Sequence, residues 1–144
     1  CYYKNHEATS SAIDEDGWLH TGDLGIIDSE GYLFIKGRSK NMILGPSGQN
    51  IYPEEIEDRL NALPYVSESL VIEKDGKLIA LVYPDYEVVK KEKISPEQLK
   101  TKMDENRKLL NHMLPMYSQV ARLKIQETEF EKTPKRSIKR YLYQ

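Results

Sequence analysis

Four clusters of residues have types and spacings that could do chemistry. The first is Thr21-Gly22-Asp23 taken with Gly37-Arg38. A carboxylate accepts two hydrogen bonds and a guanidinium donates several, a combination suited to the vicinal hydroxyls of a ribose. A surface ion pair worth about 0–1 kcal/mol accounts for the same two side chains. The second is Leu44-Gly45-Pro46-Ser47-Gly48-Gln49-Asn50, where glycine removes side-chain bulk and lets a ligand pass close to the backbone. Such a segment borders a narrow passage or simply connects two elements. The third, Arg38-Ser39-Lys40, is a polar step of the kind that absorbs φ/ψ change in a hinge; an ordinary linker reads the same way. The fourth is Lys132-Thr133-Pro134-Lys135-Arg136-Ser137-Ile138-Lys139-Arg140. Its five cations would attract a polyphosphate or an acyl-phosphate transition state, and a solvated tail is the competing view.

Elements with recognisable local signals must position these clusters. Leu24–Ile27 and Tyr32–Lys36 flank Asp28-Ser29-Glu30-Gly31 and read as a β-hairpin. Folding about Ser29-Glu30 pairs residues whose numbers sum to 59, so Asp23 faces Lys36 and Gly22 faces Gly37. That register brings Asp23 and Arg38 to the same open end. A helix follows from Pro53, with Glu54 and Glu55 at its positive end and Ile56, Leu60 and Leu63 on one face, until Pro64 stops it. Val66–Ile72 and Leu78–Tyr83 read as strands joined at Asp75-Gly76. Ser95-Pro96-Glu97-Gln98 is a capping box opening a second helix with Leu99, Met103, Leu110 and Leu114. Val120–Ile125 alternates as a half-buried strand does. The expectation is a small α+β unit from about residue 40, preceded by a hairpin belonging to something larger.

Composition sets outer bounds. The chain has 144 residues, 39% of them hydrophobic and 31% charged, with a net charge of -2. It contains no apolar run long enough to span a membrane and no basic-then-apolar signal segment. It starts without Met, inside a polar run, which reads as an excised piece. The single cysteine, Cys1, cannot form an internal disulfide, so a reducing, cytoplasmic setting is the default. His6, His20 and His112 lack ligand spacing, and no metal site is expected. The near-neutral balance argues against a nucleic-acid partner.

The order of the motifs narrows the reading. Gly17-Trp18-Leu19-His20-Thr21-Gly22-Asp23-Leu24-Gly25 resembles the GW-HTGD-G segment of the adenylate-forming superfamily, which includes acyl-CoA synthetases, peptide-synthetase adenylation domains and firefly-type luciferases. Gly37–Ile43, running on to Gly48–Glu57, resembles the next motif downstream, and Lys132–Arg140 sits where the last one belongs. The resemblance implies that residues 1–39 end the large amino-terminal domain and that 40–144 form a mobile carboxyl-terminal lid, a short mixed sheet flanked by helices. It further implies that Asp23, Arg38 and Thr21 serve the nucleotide and that Lys40 is the hinge. The loop of Gly48, Ser47 and Gln49 would border the coenzyme A passage.

The implied chemistry is a ligation in two steps. A carboxylate attacks the α-phosphate of Mg-ATP to give an acyl-adenylate and pyrophosphate, and a thiol then displaces AMP. ATP, Mg2+ (bound mainly by the large domain), coenzyme A and that large domain are the implied partners. The loop and tail wording resembles bacterial long-chain fatty-acid ligases, and peripheral membrane contact in the parent is compatible with this. A carrier-protein thiol as acceptor, and a non-catalytic interaction module, stay open as alternatives. The last motif departs from the family pattern: Ser137 stands where the adenylation lysine precedes Ile, and Arg136 stands in the glycine place. Either a neighbouring cation supplies the missing charge, with Lys135 and Lys139 the candidates and Lys135 preferred because a short shift of the loop would redirect its long side chain, or adenylation is impaired.

Overall fold

The computed structural model describes residues 2–144, so Cys1 lies outside the described residues. The chain divides into two compact units, residues 1–41 and 42–144.

In the first unit, α1 (His6–Ala12) is capped by Asn5, whose side chain accepts from the Ala8 amide. None of its residues is buried, so no hydrophobic period announced it in the sequence. Strands β1 (Asp23–Ile27) and β2 (Leu33–Arg38) form the expected antiparallel hairpin, in a different register. Asp28 Oδ1 accepts from the amides of both Glu30 and Tyr32 at 2.9 Å, and the Asp28 amide donates to the Tyr32 carbonyl. Gly31, at φ +88°, closes the turn in a conformation that favours glycine. The loop is thus Ser29-Glu30-Gly31 rather than a two-residue turn, and Ile27 faces Leu33. A bulge beside Leu24/Gly25 makes Lys36 the extra residue, so Asp23 lies directly opposite Arg38 and not Lys36.

The second unit opens with a miniature hairpin, β3 (Ile43–Leu44) and β4 (Asn50–Ile51), on either side of the glycine-containing segment. Helix α2 (Pro53–Asn61) follows and buries Pro53, Ile56, Glu57 and Leu60. Strands β5 (Val66–Lys74) and β6 (Lys77–Pro84) pair antiparallel around Asp75 (φ +53°) and Gly76 (φ +71°), the two positive values that a type I′ turn requires. A short helix, α3 (Tyr86–Lys91), escapes sequence detection because only Val89 is buried; Asp85 caps it by accepting from the Glu87 and Val88 amides. The capping box of α4 (Pro96–Met113) forms as expected, with both Ser95 and Gln98 engaged. Strand β7 (Val120–Ile125) then pairs parallel to β6, giving a mixed sheet in the order β5-β6-β7.

Both faces of this sheet are covered, which explains the near-continuous apolar runs of β5 and β6. Val71, Ala80 and Val82 point toward Ile56 and Leu60 of α2 and Leu99, Met103 and Leu110 of α4. Leu70, Ile72 and Leu81 form the opposite layer, which is sealed by Phe130, Ile138 and Tyr143 of the tail. The helices therefore cover one face and the carboxyl-terminal tail the other. Leu60 is fully buried, so Leu60→Ala is expected to lower the stability of the chain by about 2–5 kcal/mol. Urea unfolding measures this, and a loss below about 1 kcal/mol would mean that α2 does not seal the core.

Candidate nucleotide corner, glycine loop and basic tail

In the first unit the hairpin's open end is a hydrogen-bonded corner. Arg38 Nε lies 3.0 Å from Asp23 Oδ1, and Arg38 Nη1 donates to the Thr21 carbonyl at 2.8 Å. The Thr21 hydroxyl accepts from the Asp23 amide at 3.1 Å, and the Ser39 amide donates to the Gly22 carbonyl at 2.8 Å. Upstream, Asp14 takes the Trp18 amide at 2.8 Å and the His20 ring at 3.0 Å. These contacts hold the Asp14 carboxyl below its ordinary range, with the Trp18 amide the largest cause. The bulge makes the corner: without the extra residue, Asp23 and Arg38 would not lie opposite each other. Part of the Asp23 carboxylate remains open, with a side-chain exposure of 34%. Lys40 follows at once, exposed, in a single 3-10 turn (Ser39–Asn41) at the end of the first unit.

In the second unit the glycine-containing segment is an ordered turn. The Gly45 amide donates to the Gln49 carbonyl at 2.8 Å, and the Gly48 amide to the Gly45 carbonyl at 2.9 Å. Gly48 sits at φ +80° with open space where a Cβ would stand, so conformation rather than crowding calls for glycine there. A groove of about 510 Å³ is bordered by Leu44, Pro46, Ser47, Gln49, Lys77 and Tyr117. A larger cleft of about 900 Å³ between α4 and β7 contains none of the motif residues, so its size does not make it the site.

The basic tail is folded, and its cations separate into two groups. Lys132 binds Glu68 and Glu129, Lys139 binds Glu131 at 3.2 Å, and Arg140 binds Glu57. Glu131 and Glu129 raise the Lys139 and Lys132 ammonium groups, respectively, above the usual lysine range. Lys135 and Arg136 make no ion pair among the described residues and lie on an exposed turn. That turn is closed by the Arg136 amide on the Thr133 carbonyl (2.8 Å) and the Thr133 amide on the Ser137 carbonyl (2.9 Å). Arg136 takes φ +62°, a left-handed conformation that glycine adopts more readily. Sequence reasoning missed the two acids that anchor this tail, Glu57 and Glu68. Each lies far along the chain from its cation, and no local signal could have found it.

Among the described residues no group of three His, Cys, Asp or Glu side chains comes together as a metal site. No helix among them is long and apolar enough to cross a membrane.

A small mixed-sheet unit of this kind is the carboxyl-terminal fold of adenylation domains. The chain belongs to the family described as AMP-binding enzyme C-terminal domain, matched over residues 40–143. It is 48% identical over 85 residues to the long-chain-fatty-acid–CoA ligase FadD13 of Mycobacterium tuberculosis, covering 56% of this chain and 16% of that protein. To the long-chain-fatty-acid–CoA ligase ACSBG2 of Gallus gallus it is 40% identical over 82 residues, 56% of this chain and 11% of that protein. The matched stretches therefore span less than a fifth of the length of these relatives.

Solved structures agree. The adenylation domain of a carboxylate reductase from Mycobacterium chelonae superposes with a TM-score of 0.83 over 97% of this chain and 23% of that one, at 23% identity, a likeness of fold alone. The o-succinylbenzoate CoA synthetase MenE of Bacillus subtilis, solved with its acyl-adenylate intermediate, gives a TM-score of 0.70 at 26% identity, covering 99% of this chain and 27% of that one.

Proposed function

We propose that this chain is the carboxyl-terminal part of an ATP-dependent acid–thiol ligase, acting in the cytoplasm on a long-chain fatty acid with coenzyme A as acceptor. The Asp23–Arg38–Thr21 corner carries the reading. Arg38 fixes one oxygen of the Asp23 carboxylate and leaves further acceptor capacity for two adjacent ribose hydroxyls. On this reading residues 1–39 end the large domain and 40–144 form the lid. The uncovered apolar side chains of the hairpin, among them Ile27 and Leu33, are consistent with burial against that large domain. Lys40 is the hinge, and the exposed turn that contains Lys135 supplies positive charge to the carboxylate and phosphate oxygens during adenylate formation. The Ser47-Gly48-Gln49 turn borders the passage for the acceptor arm. Mg2+ arrives with ATP, and the described residues offer it no cluster of ligands.

Alternation between two lid positions has a physical rationale: a surface that shields an adenylate from water cannot also admit a thiol. The test supplies the protein containing the upstream domain with ATP, a long-chain fatty acid and coenzyme A, and follows pyrophosphate exchange and thioester formation. The 144-residue chain alone is expected to be inactive. Turnover by the isolated chain, or no pyrophosphate exchange by the longer protein, defeats the proposal. Transfer only to a carrier-protein thiol would change the acceptor and keep the first step.

A further inference from the structure

Glu57 is a carboxylate in an apolar setting. It is 8% exposed, on the face of α2 that packs against β5. Burial pushes its carboxyl above the ordinary glutamate range, and the Arg140 guanidinium opposes that push. Its Oε1 accepts from the Val71 amide at 2.6 Å, and its Oε2 accepts from Arg140 Nη2. Arg140 also donates from Nη1 to the Val71 carbonyl at 3.3 Å and has Glu54 at 3.8 Å. One guanidinium therefore spans a helix and a strand from the last motif of the chain, 83 positions away from its carboxylate partner. A buried pair of this kind adds little net stability over an apolar replacement. Its benefit lies in fixing geometry, because a guanidinium offers several donors in a rigid fork.

Two segments meet at this pair. Helix α2 begins at Pro53, immediately after the miniature hairpin of the glycine turn, and Glu57 lies one helical turn further on. Arg140 directly follows Lys139, whose amide bonds the Glu131 carbonyl at 2.9 Å and closes the base of the 133–137 turn. The other foot of that turn is held by Lys132 on Glu68 and Glu129, and by Phe130 and Tyr143, whose rings meet edge to face at 5.2 Å.

We propose that Arg140 and Glu57 are a positioning pair that holds the 133–137 turn in fixed register with α2. Arg140 locks the turn, whereas Glu57 also ties α2 to β5 through Val71 and keeps that bond when Arg140 is removed. The consequence for two-step chemistry rests on the reading that the turn serves adenylate formation and the glycine turn serves thioester formation.

The structural half of the test needs no ligase activity. In the 144-residue chain, Arg140→Met is expected to lower hydrogen-exchange protection of the Thr133, Arg136 and Lys139 amides by about 10- to 100-fold, the scale of a charge-assisted hydrogen bond. Amides of the β5–β6 ladder stay within about threefold. The double variant E57Q/R140M removes the stranded buried charge and retains an acceptor for Val71. It should regain thermal stability over R140M while the tail amides remain unprotected. Unchanged tail amides, or an equal loss across tail and sheet in both variants, overturns the pair as a positioning device.

In the longer protein, R140M is expected to slow ATP–pyrophosphate exchange about 10- to 100-fold with KM for ATP within about threefold. Thioester formation from supplied acyl-adenylate should hold within about threefold, and Arg140→Lys should recover part of the loss. Equal slowing of both half-reactions overturns the functional assignment. If the wild-type protein lacks pyrophosphate exchange, the ligase reading fails while the exchange data still decide the pair.

Discussion

Lys135→Ala in the longer protein is expected to lower ATP–pyrophosphate exchange by about 10²–10³-fold, the cost of removing one group aimed at developing charge. Lys139→Ala should stay within about threefold, because the Lys139 ammonium is already committed to Glu131 at 3.2 Å. Both lysines stand two residues from Ser137, and the sequence already favours Lys135, whose long side chain a short shift of the loop would redirect. The structure separates them by their partners. Lys132 and Arg140 are bound to acids as well, so Lys135 and Arg136 are the tail cations whose charge faces outward without an ion pair among the described residues. The measurement is the initial exchange rate at saturating ATP and fatty acid. Wild-type rates in both single variants would remove Lys135 from the mechanism; a larger loss in Lys139→Ala would mean that the Glu131 pair opens in the active state.

The second large effect is expected at Asp23. Asp23→Ala should raise KM for ATP by about 10²-fold, since a hydrogen bond to a charged group contributes about 1.5–3 kcal/mol and a ribose offers two. Stability should hardly change: the Asp23–Arg38 pair has side-chain exposures of 34% and 59%, and such surface pairs contribute about 0–1 kcal/mol. The contrast between an altered KM and an unaltered unfolding midpoint is what separates a binding corner from an ordinary surface ion pair. Steady-state kinetics and urea unfolding on the same variant decide it. An unchanged KM with a lower midpoint would leave the pair as a purely structural contact.

Much of the fold was legible because its signals are short-range. Ser95 through Gln98 carry a complete capping box, and Asp75-Gly76 is a turn whose two positive φ values these residue types tolerate. The continuous apolar runs of β5 and β6 place apolar side chains on both faces of the sheet within a few residues. Helices α1 and α3 escaped because they bury almost nothing and so leave no period to read. The hairpin was found but its register was misjudged by a residue: the Asp28 side chain selects a three-residue loop, and the bulge beside Gly25 adds another offset.

Sequence alone determined the family-bearing motifs, their order, the strong caps and turns, and the departure at Ser137, since each depends on residues close together in the chain. Tertiary structure alone decided which charges are free. Arg140 finds Glu57 and Lys132 finds Glu68 only after the tail lies against the sheet. Pairing across such distances is set by packing of the whole unit, in which burial penalises any charge left without its partner.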